Sequence, residues 1–193
     1  MNAICVFCGS ASGDEPVYTA GAQRLAAALV ASGRSLVYGG GSVGLMGALA
    51  DAVLAAGGHV TGVIPRMLWE REVGHRGLPD LRIVETMHER KALMAELAEG
   101  FIAMPGGIGT LEEFFEIWTW AQLGVHRKPC GILNVSAYYD PMLSMIDGMV
   151  RRKFLKPEYR HMIVVDADPA ALLAKMDAYE PPRVEKWMNR AET

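Results

Sequence analysis

Apolar residues in this chain fall in short continuous runs, each followed by a polar or glycine-rich turn and then by a segment with helical spacing. The apolar runs predict strands at Ala3–Cys8, Ser35–Tyr38, His59–Ile64, Leu81–Val84, Phe101–Met104, Cys130–Asn134 and Met162–Val165. Between them, Val17–Ser32 repeats Ala and Leu at helical spacing and meets Gly33 where a C-terminal cap belongs. Leu45–Ala56 reads as a second helix, ended by Gly57-Gly58. Two T-x-x-E sequences have the form of capping boxes: Thr86–Glu89 is expected to open a helix to about Ala98, and Thr110–Glu113 one to about Leu123. Asp140-Pro141 marks the next helix start, with Asp as cap and Pro in the first turn, and a short helix is expected after Asp168-Pro169. Arg66–Asp80 is polar and irregular and reads as the longest loop.

Strands that are apolar on both faces and alternate with helices signify a parallel sheet covered on both sides. The expectation is an α/β fold: a doubly wound, mostly parallel, Rossmann-like sheet in one domain over residues 1–180, with 181–193 as a surface tail. Such sheets bind ligands beyond the carboxyl ends of their strands. The glycine-rich loops after the first, second and fifth strands, and the Glu85–Lys91 segment after the fourth, all fall on that edge.

Composition narrows the function. The 193 residues suit one core, 51% are hydrophobic, and the net charge of −3 gives no electrostatic reason to bind nucleic acid or an anionic membrane. No apolar run is long enough to span a bilayer, and the N-terminus lacks the pattern of a signal peptide, so a cytoplasmic protein is expected. The 3 cysteines read as reduced thiols. Cys5 and Cys8 form C-x-x-C, but within a strand such positions point to opposite faces, which argues against a redox or zinc pair. His59, His75, His88, His126 and His161 lack metal-ligand spacing, and neither a metal nor a cofactor is expected.

Gly39–Gly44 fits G-x-G-x-x-G, yet it follows the second strand and has no acid near Val63-Ile64-Pro65 to hold a ribose, against a dinucleotide-linked dehydrogenase. Leu45-Met46 in place of Lys-Ser/Thr excludes a Walker A loop. What remains is a phosphate cradle. Gly106, Gly107, Gly109 and Thr110 stand at an expected helix start, where unpaired amides and the dipole favour an anion. Ser10, Gly39, Gly40, Gly41 and Gly44 are candidates to complete it from neighbouring loops. Arg90 and Lys91 sit near a helix N-terminus that disfavours cations, so they either hold an anion or form a solvated pair balanced by Glu89. Glu113 is either the return partner of the Thr110 capping box or an acid acting beside an oxocarbenium-like sugar. Spacing leaves both open.

These residues also carry a resemblance. Pro105–Glu113 is similar to the P-G-G-x-G-T-x-x-E motif of the Lonely Guy (LOG) family of cytokinin-activating phosphoribohydrolases, and Met87–Lys91 resembles that family's M-H-x-R-K segment. Cys8-Gly9-Ser10, Tyr38–Gly41 with Gly44–Gly47, Val63-Ile64-Pro65 and Trp120–Gly124 agree with it, from Ile4 to about Phe154. The resemblance implies hydrolysis of the N-glycosidic bond of N6-modified AMP or of AMP itself, giving free base and ribose 5-phosphate. It implies Arg90 and Glu113 as the catalytic pair, with Glu72, Lys91, Gly107, Ile108, Gly109, Thr110, Leu111, Glu112 and Thr119 in contact with the nucleotide. It also implies a homodimer, with which the apolar run Phe114–Trp120 is compatible. Trp69-Glu70 and Gly74–Gly77 depart from the family pattern. The family is often labelled lysine decarboxylase-like, yet nothing singles out one of the chain's lysines as a Schiff-base partner for pyridoxal phosphate. The alternative on the same fold is a non-catalytic nucleotide or cofactor carrier.

Overall fold

A computed structural model describes residues 1–71 and 74–182. Glu72 and nearly all of the expected surface tail, residues 183–193, lie outside the described residues. Seven parallel strands form one sheet in the order β4-β3-β2-β1-β5-β6-β7. They are β1 (Ala3–Phe7), β2 (Ser35–Tyr38), β3 (Val60–Pro65), β4 (Asp80–Val84), β5 (Gly100–Ala103), β6 (Cys130–Leu133) and β7 (Ile163–Asp166). Strand order reverses at β1, which pairs β2 on one side and β5 on the other, with Val6 opposite both Tyr38 and Ile102. This is the switch point beyond which doubly wound sheets place their ligands.

The helices are α1 (Pro16–Ala31), α2 (Gly44–Ala55), α3 (Arg66–Glu70), α4 (Met87–Leu97), α5 (Ile108–Gln122), α6 (Asp140–Arg151), α7 (Pro157–Arg160) and α8 (Pro169–Asp177). Alternation along β1 divides the core: Ile4 and Val6 pack with buried residues of α1, α2 and α8, whereas Cys5 and Phe7 pack with those of α4, α5 and α6. Cys8 joins the first cluster and Cys5 the second, so the C-x-x-C thiols do face opposite ways, and all three cysteines are free and buried. No described helix is long and apolar enough to cross a membrane.

Several boundaries are corrected. The Arg66–Asp80 loop contains the short helix α3, which follows directly on Pro65, and α7 was not foreseen. Asp168 caps α8 by accepting from the Ala171 amide, whereas Asp140 is the first residue of α6 rather than its cap. Thr86 caps α4 as expected, its hydroxyl oxygen accepting from the Glu89 amide at 3.1 Å, while the Glu89 carboxylate returns one residue further back, accepting from the Glu85 amide at 2.8 Å. The Thr110 box does not form. α5 begins at Ile108 with Gly107 as its cap residue and no capping side chain, which leaves Thr110 and Glu113 inside the helix.

Candidate active site

Because α5 starts one turn earlier than the T-x-x-E pattern suggests, Glu113 is released from a capping role. It lies in the second turn, its side chain 12% exposed, with Oε1 3.2 Å from Nη1 of Arg90. Arg90, buried on α4, is fixed by two further bonds, from Nε to the Val63 carbonyl at 3.2 Å and from Nη2 to the Gly39 carbonyl at 3.3 Å. The guanidinium therefore ties α4 to the ends of β2 and β3 while presenting its third nitrogen to Glu113. Burial pushes the Glu113 carboxyl above its ordinary value; Arg90 pulls it back in part, and Glu112 adds to the rise.

The neighbouring cation is committed elsewhere. Lys91 Nζ sits 2.7 Å from Glu112 and 2.8 Å from Glu116, bridging two carboxylates one turn apart on α5. Burial disfavours its charge, but these hydrogen bonds outweigh the penalty and hold its pKa above the ordinary value. The solvated-pair explanation of the two cations does not hold. Both cations are buried, Glu89 is engaged with Glu85, and the anions they meet are carboxylates of α5.

The glycine loops divide their work in the same way. A β-carbon on Gly39 would fall 1.9 Å from Nη2 of Arg90, so the glycine exists to seat the guanidinium. Gly44, at φ +59°, lies so close to the Ser10 backbone that a β-carbon would come within 2.3 Å of it. The first amides of α2, those of Leu45 and Met46, donate to the Gly9 carbonyl at 3.0 and 3.4 Å, so that helix start is occupied by protein. Gly40 packs on β3 and β4, and its carbonyl accepts from the His75 amide. The start of α5 is different: among the described residues, the amides of Ile108, Gly109 and Thr110 donate to no backbone or side-chain acceptor. Gly107 and Gly109 have nothing within 4 Å of where a β-carbon would stand. Free amides with open space before them make an anion site.

All this meets in a cavity of about 470 Å³ at the carboxyl ends of β1, β2, β3 and β5. Of the expected residues it gathers Ser10, Gly39, Gly41, Gly107, Ile108, Gly109, Thr110, Glu112, Arg90 and Glu113. Gly106 lies behind, under the Thr110 side chain; Leu111 packs on the core; and Lys91 faces its two carboxylates. Thr119 is exposed farther along α5, away from this chain's cavity. The rest of the lining, Cys8, Val43, Met46, Ile64, Leu68 and Met87, is apolar, and the sequence reading does not anticipate it. Cys8 and Ile64 could have been found as residues ending strands on the ligand edge. Leu68 could not, because it rides on the short α3. The residues that depart from the family pattern make contacts of their own beside the site: Arg76 lies 5.6 Å over the Trp69 ring, and His75 Nε2 meets Asp51 at 2.9 Å.

Fold and site together define an α/β protein whose free helix-terminal amides open on a cavity beside a buried acid paired with arginine. Residues 46–176 match the family model described as "Possible lysine decarboxylase". Across 178 residues, 92% of this chain, the sequence is 50% identical to cytokinin riboside 5′-monophosphate phosphoribohydrolase LOG7 of Arabidopsis thaliana, covering 82% of that protein. It is 49% identical over the same length to the probable enzyme of that name, LOGL2, of Oryza sativa subsp. japonica, covering 73% of it. The chain belongs to the family of cytokinin riboside 5′-monophosphate phosphoribohydrolases. A molybdenum cofactor binding protein from Rippkaea orientalis shares the fold, with a TM-score of 0.69 and 16% identity over 92% of this chain and 96% of that one. So does the Moco carrier protein from Chlamydomonas reinhardtii, with a TM-score of 0.67 and 19% identity over 92% and 96%.

Proposed function

We propose that this protein hydrolyses the N-glycosidic bond of purine nucleoside 5′-monophosphates, N6-modified or AMP, to free base and ribose 5-phosphate. The observation that carries the reading is the placing of the Glu113–Arg90 pair one and a half turns below the free amides of α5. From Ile108 to Glu113 the helix axis advances about 7.5 Å, the scale of a ribose 5-phosphate. A phosphate on the amides of Ile108, Gly109 and Thr110 would bring the anomeric carbon toward Glu113. The C1′–N bond breaks with its electron pair leaving on the base, which takes up a proton, and a water oxygen bonds to C1′. Glu113 as carboxylate stabilises the positive charge growing at C1′ and accepts the proton of the attacking water. Arg90 holds that carboxylate in place, and the apolar part of the cavity lining suits the base and an apolar N6 substituent. A carrier has no use for an acid withdrawn from water beside its ligand.

A pyridoxal phosphate reaction, which the decarboxylase label implies, does not fit the residues. A Schiff-base lysine must shed its proton and reach the ligand. Lys91, the lysine beside the site, is clamped between Glu112 and Glu116 with its charge favoured. Lys128 donates to the Ala95 and Ala98 carbonyls, and Lys175 pairs with Asp166.

The working form is proposed to be a cytoplasmic homodimer. Three buried, free thiols support a reducing location. Exposed Thr119 and an Ile108 that is 86% exposed at the cavity rim support a second copy covering α5. Incubation with AMP and with N6-isopentenyl-AMP, followed by chromatography of the base and assay of ribose 5-phosphate, tests the reaction. Base release is expected, with Glu113→Gln abolishing turnover while retaining nucleotide binding; no release from any purine monophosphate overturns it.

A further inference from the structure

The turn Val135–Ala137, between β6 and α6, holds its backbone where residues with a β-carbon rarely go, with Ser136 at φ 52° and Ala137 at φ 59°. Two consecutive left-handed, non-glycine residues are unfavourable and persist only where the surroundings over-determine them. The turn delivers Tyr138 and Tyr139. Tyr139 is buried, with its amide on Asn134 Oδ1 at 2.8 Å and its hydroxyl on the Met104 carbonyl at 2.7 Å. Core packing accounts for it. Tyr138 is 41% exposed, so burial does not explain why the backbone is bent to place it.

What Tyr138 does is reach the active-site loop from behind. Its hydroxyl donates to the Gly106 carbonyl at 2.7 Å. Its ring is held edge-on between Tyr18, with centroids 5.8 Å apart, and Tyr139, at 4.9 Å. The Gly106 carbonyl and the Gly107 amide share one rigid peptide plane, and that plane leads into the start of α5. Fixing the carbonyl fixes where the amide points, and polarising the carbonyl makes the amide a stronger donor. The preceding link is also tied, since the Gly9 amide donates to the Pro105 carbonyl at 3.0 Å. A second cavity of about 290 Å³ lies on this side of the loop and shares Ser10 and Gly107 with the first. Without the Tyr138 hydroxyl, the Gly106 carbonyl would face that open cavity, and its peptide could turn.

We propose that Tyr138 is a positioning residue of the anion site, locking the Gly106–Gly107 peptide so that the amides at the start of α5 converge on the ligand's phosphate. The inference rests on reading that helix start as the phosphate cradle, and it makes affinity for the phosphorylated sugar, rather than bond cleavage, depend on one hydroxyl.

Tyr138→Phe deletes the oxygen and keeps the ring contacts; Tyr18→Phe is the control, preserving the ring pair without touching the loop. Ribose 5-phosphate binding is measured by calorimetry, kcat and KM with AMP by base release, and adenosine as an inhibitor lacking phosphate. Loss of this one hydrogen bond predicts about three- to tenfold weaker ribose 5-phosphate binding and a similar rise in KM. kcat stays within about twofold, adenosine inhibition is unchanged, and Tyr18→Phe behaves as wild type. Unchanged ribose 5-phosphate affinity in Tyr138→Phe overturns the proposal, as does an equal loss for adenosine, which would mark general loosening. Should the wild type bind ribose 5-phosphate yet release no base, the hydrolase reading fails while the binding comparison still decides the role of Tyr138.

Discussion

Replacing Gly39 with alanine separates the two roles open to the glycine triplet: seating a guanidinium and cradling a phosphate. A β-carbon there would stand 1.9 Å from Nη2 of Arg90 and 3.0 Å from its Cζ. Favourable contacts begin near 3.5 Å, so the guanidinium must retreat by about 1.5 Å. Because the obstructing atoms end a flexible side chain, the fold can absorb the change, and stability should fall by only about 1–3 kcal/mol. The site cannot absorb it. Retreat breaks the bond to the Gly39 carbonyl and draws Nη1 from Glu113, now 3.2 Å away. Misplacing a catalytic group by about 1 Å costs about 100-fold in rate, equivalent to about 2.7 kcal/mol. Base release from AMP should therefore lose about 100-fold in kcat/KM. Since Arg90 no longer offsets the burial of Glu113, the acid limb of the pH profile should also move to higher pH. Steady-state base release measured across pH, with thermal unfolding alongside, checks both. A Gly39→Ala enzyme within about threefold of wild type in kcat/KM, with an unmoved acid limb, would refute the seating argument. A rise confined to KM would return Gly39 to the phosphate.

Lys91→Met should leave Glu112 and Glu116 facing each other uncompensated, lower stability by about 1–2 kcal/mol and raise the acid limb of kcat/KM; Lys91→Arg should restore most of both, and a Met variant with wild-type pH dependence would exclude the coupling. Burial lowers the His126 pKa to about 4, and its ring serves as a neutral bridge, Nε2 to the Ile117 carbonyl and Nδ1 accepting from the Lys128 amide. The unfolded chain, with an ordinary pKa near 6.5, binds the extra proton first, so stability should be lost as pH falls from about 6.5 to about 4; melting curves should flatten over that window in His126→Gln, and an unaltered slope would remove His126 as its source. Gly109→Ala has open space for its methyl group and should keep or raise stability by up to about 1 kcal/mol. The methyl occupies ligand space, so KM for AMP should rise about tenfold, and an unchanged KM would place the phosphate elsewhere.

Legibility in the sequence followed the range of the interactions. The parallel sheet could be read because its strands are apolar on both faces, and local signals marked the helix ends, such as Gly33 after α1 and Asp168 before α8. The gathering of loops at the carboxyl edge followed from the alternation itself. What could not be read were pairings between elements: that Arg90 would be held by the carbonyls of Val63 and Gly39, or Lys91 by carboxylates two turns into α5. Nothing local announces a partner twenty or more residues away.

The most instructive failure is the second T-x-x-E. At Thr86 the pattern caps the helix it opens, the hydroxyl taking the Glu89 amide. At Thr110 the same pattern lies inside a helix that begins at Ile108 with no side chain to satisfy its amides. Other helix starts here also lack a capping side chain, but the first amides of α2 are taken by the Gly9 carbonyl whereas those of α5 stay open, and such local departures concentrate where function needs them. A capping Glu113 would have closed the amides against its own carboxylate, the one group a phosphate must not meet. Starting the helix a turn earlier sets the two apart, donors at the rim and acid below beside Arg90. The spacing that made Glu113 ambiguous in sequence is thus what separates the charge that binds from the charge that reacts.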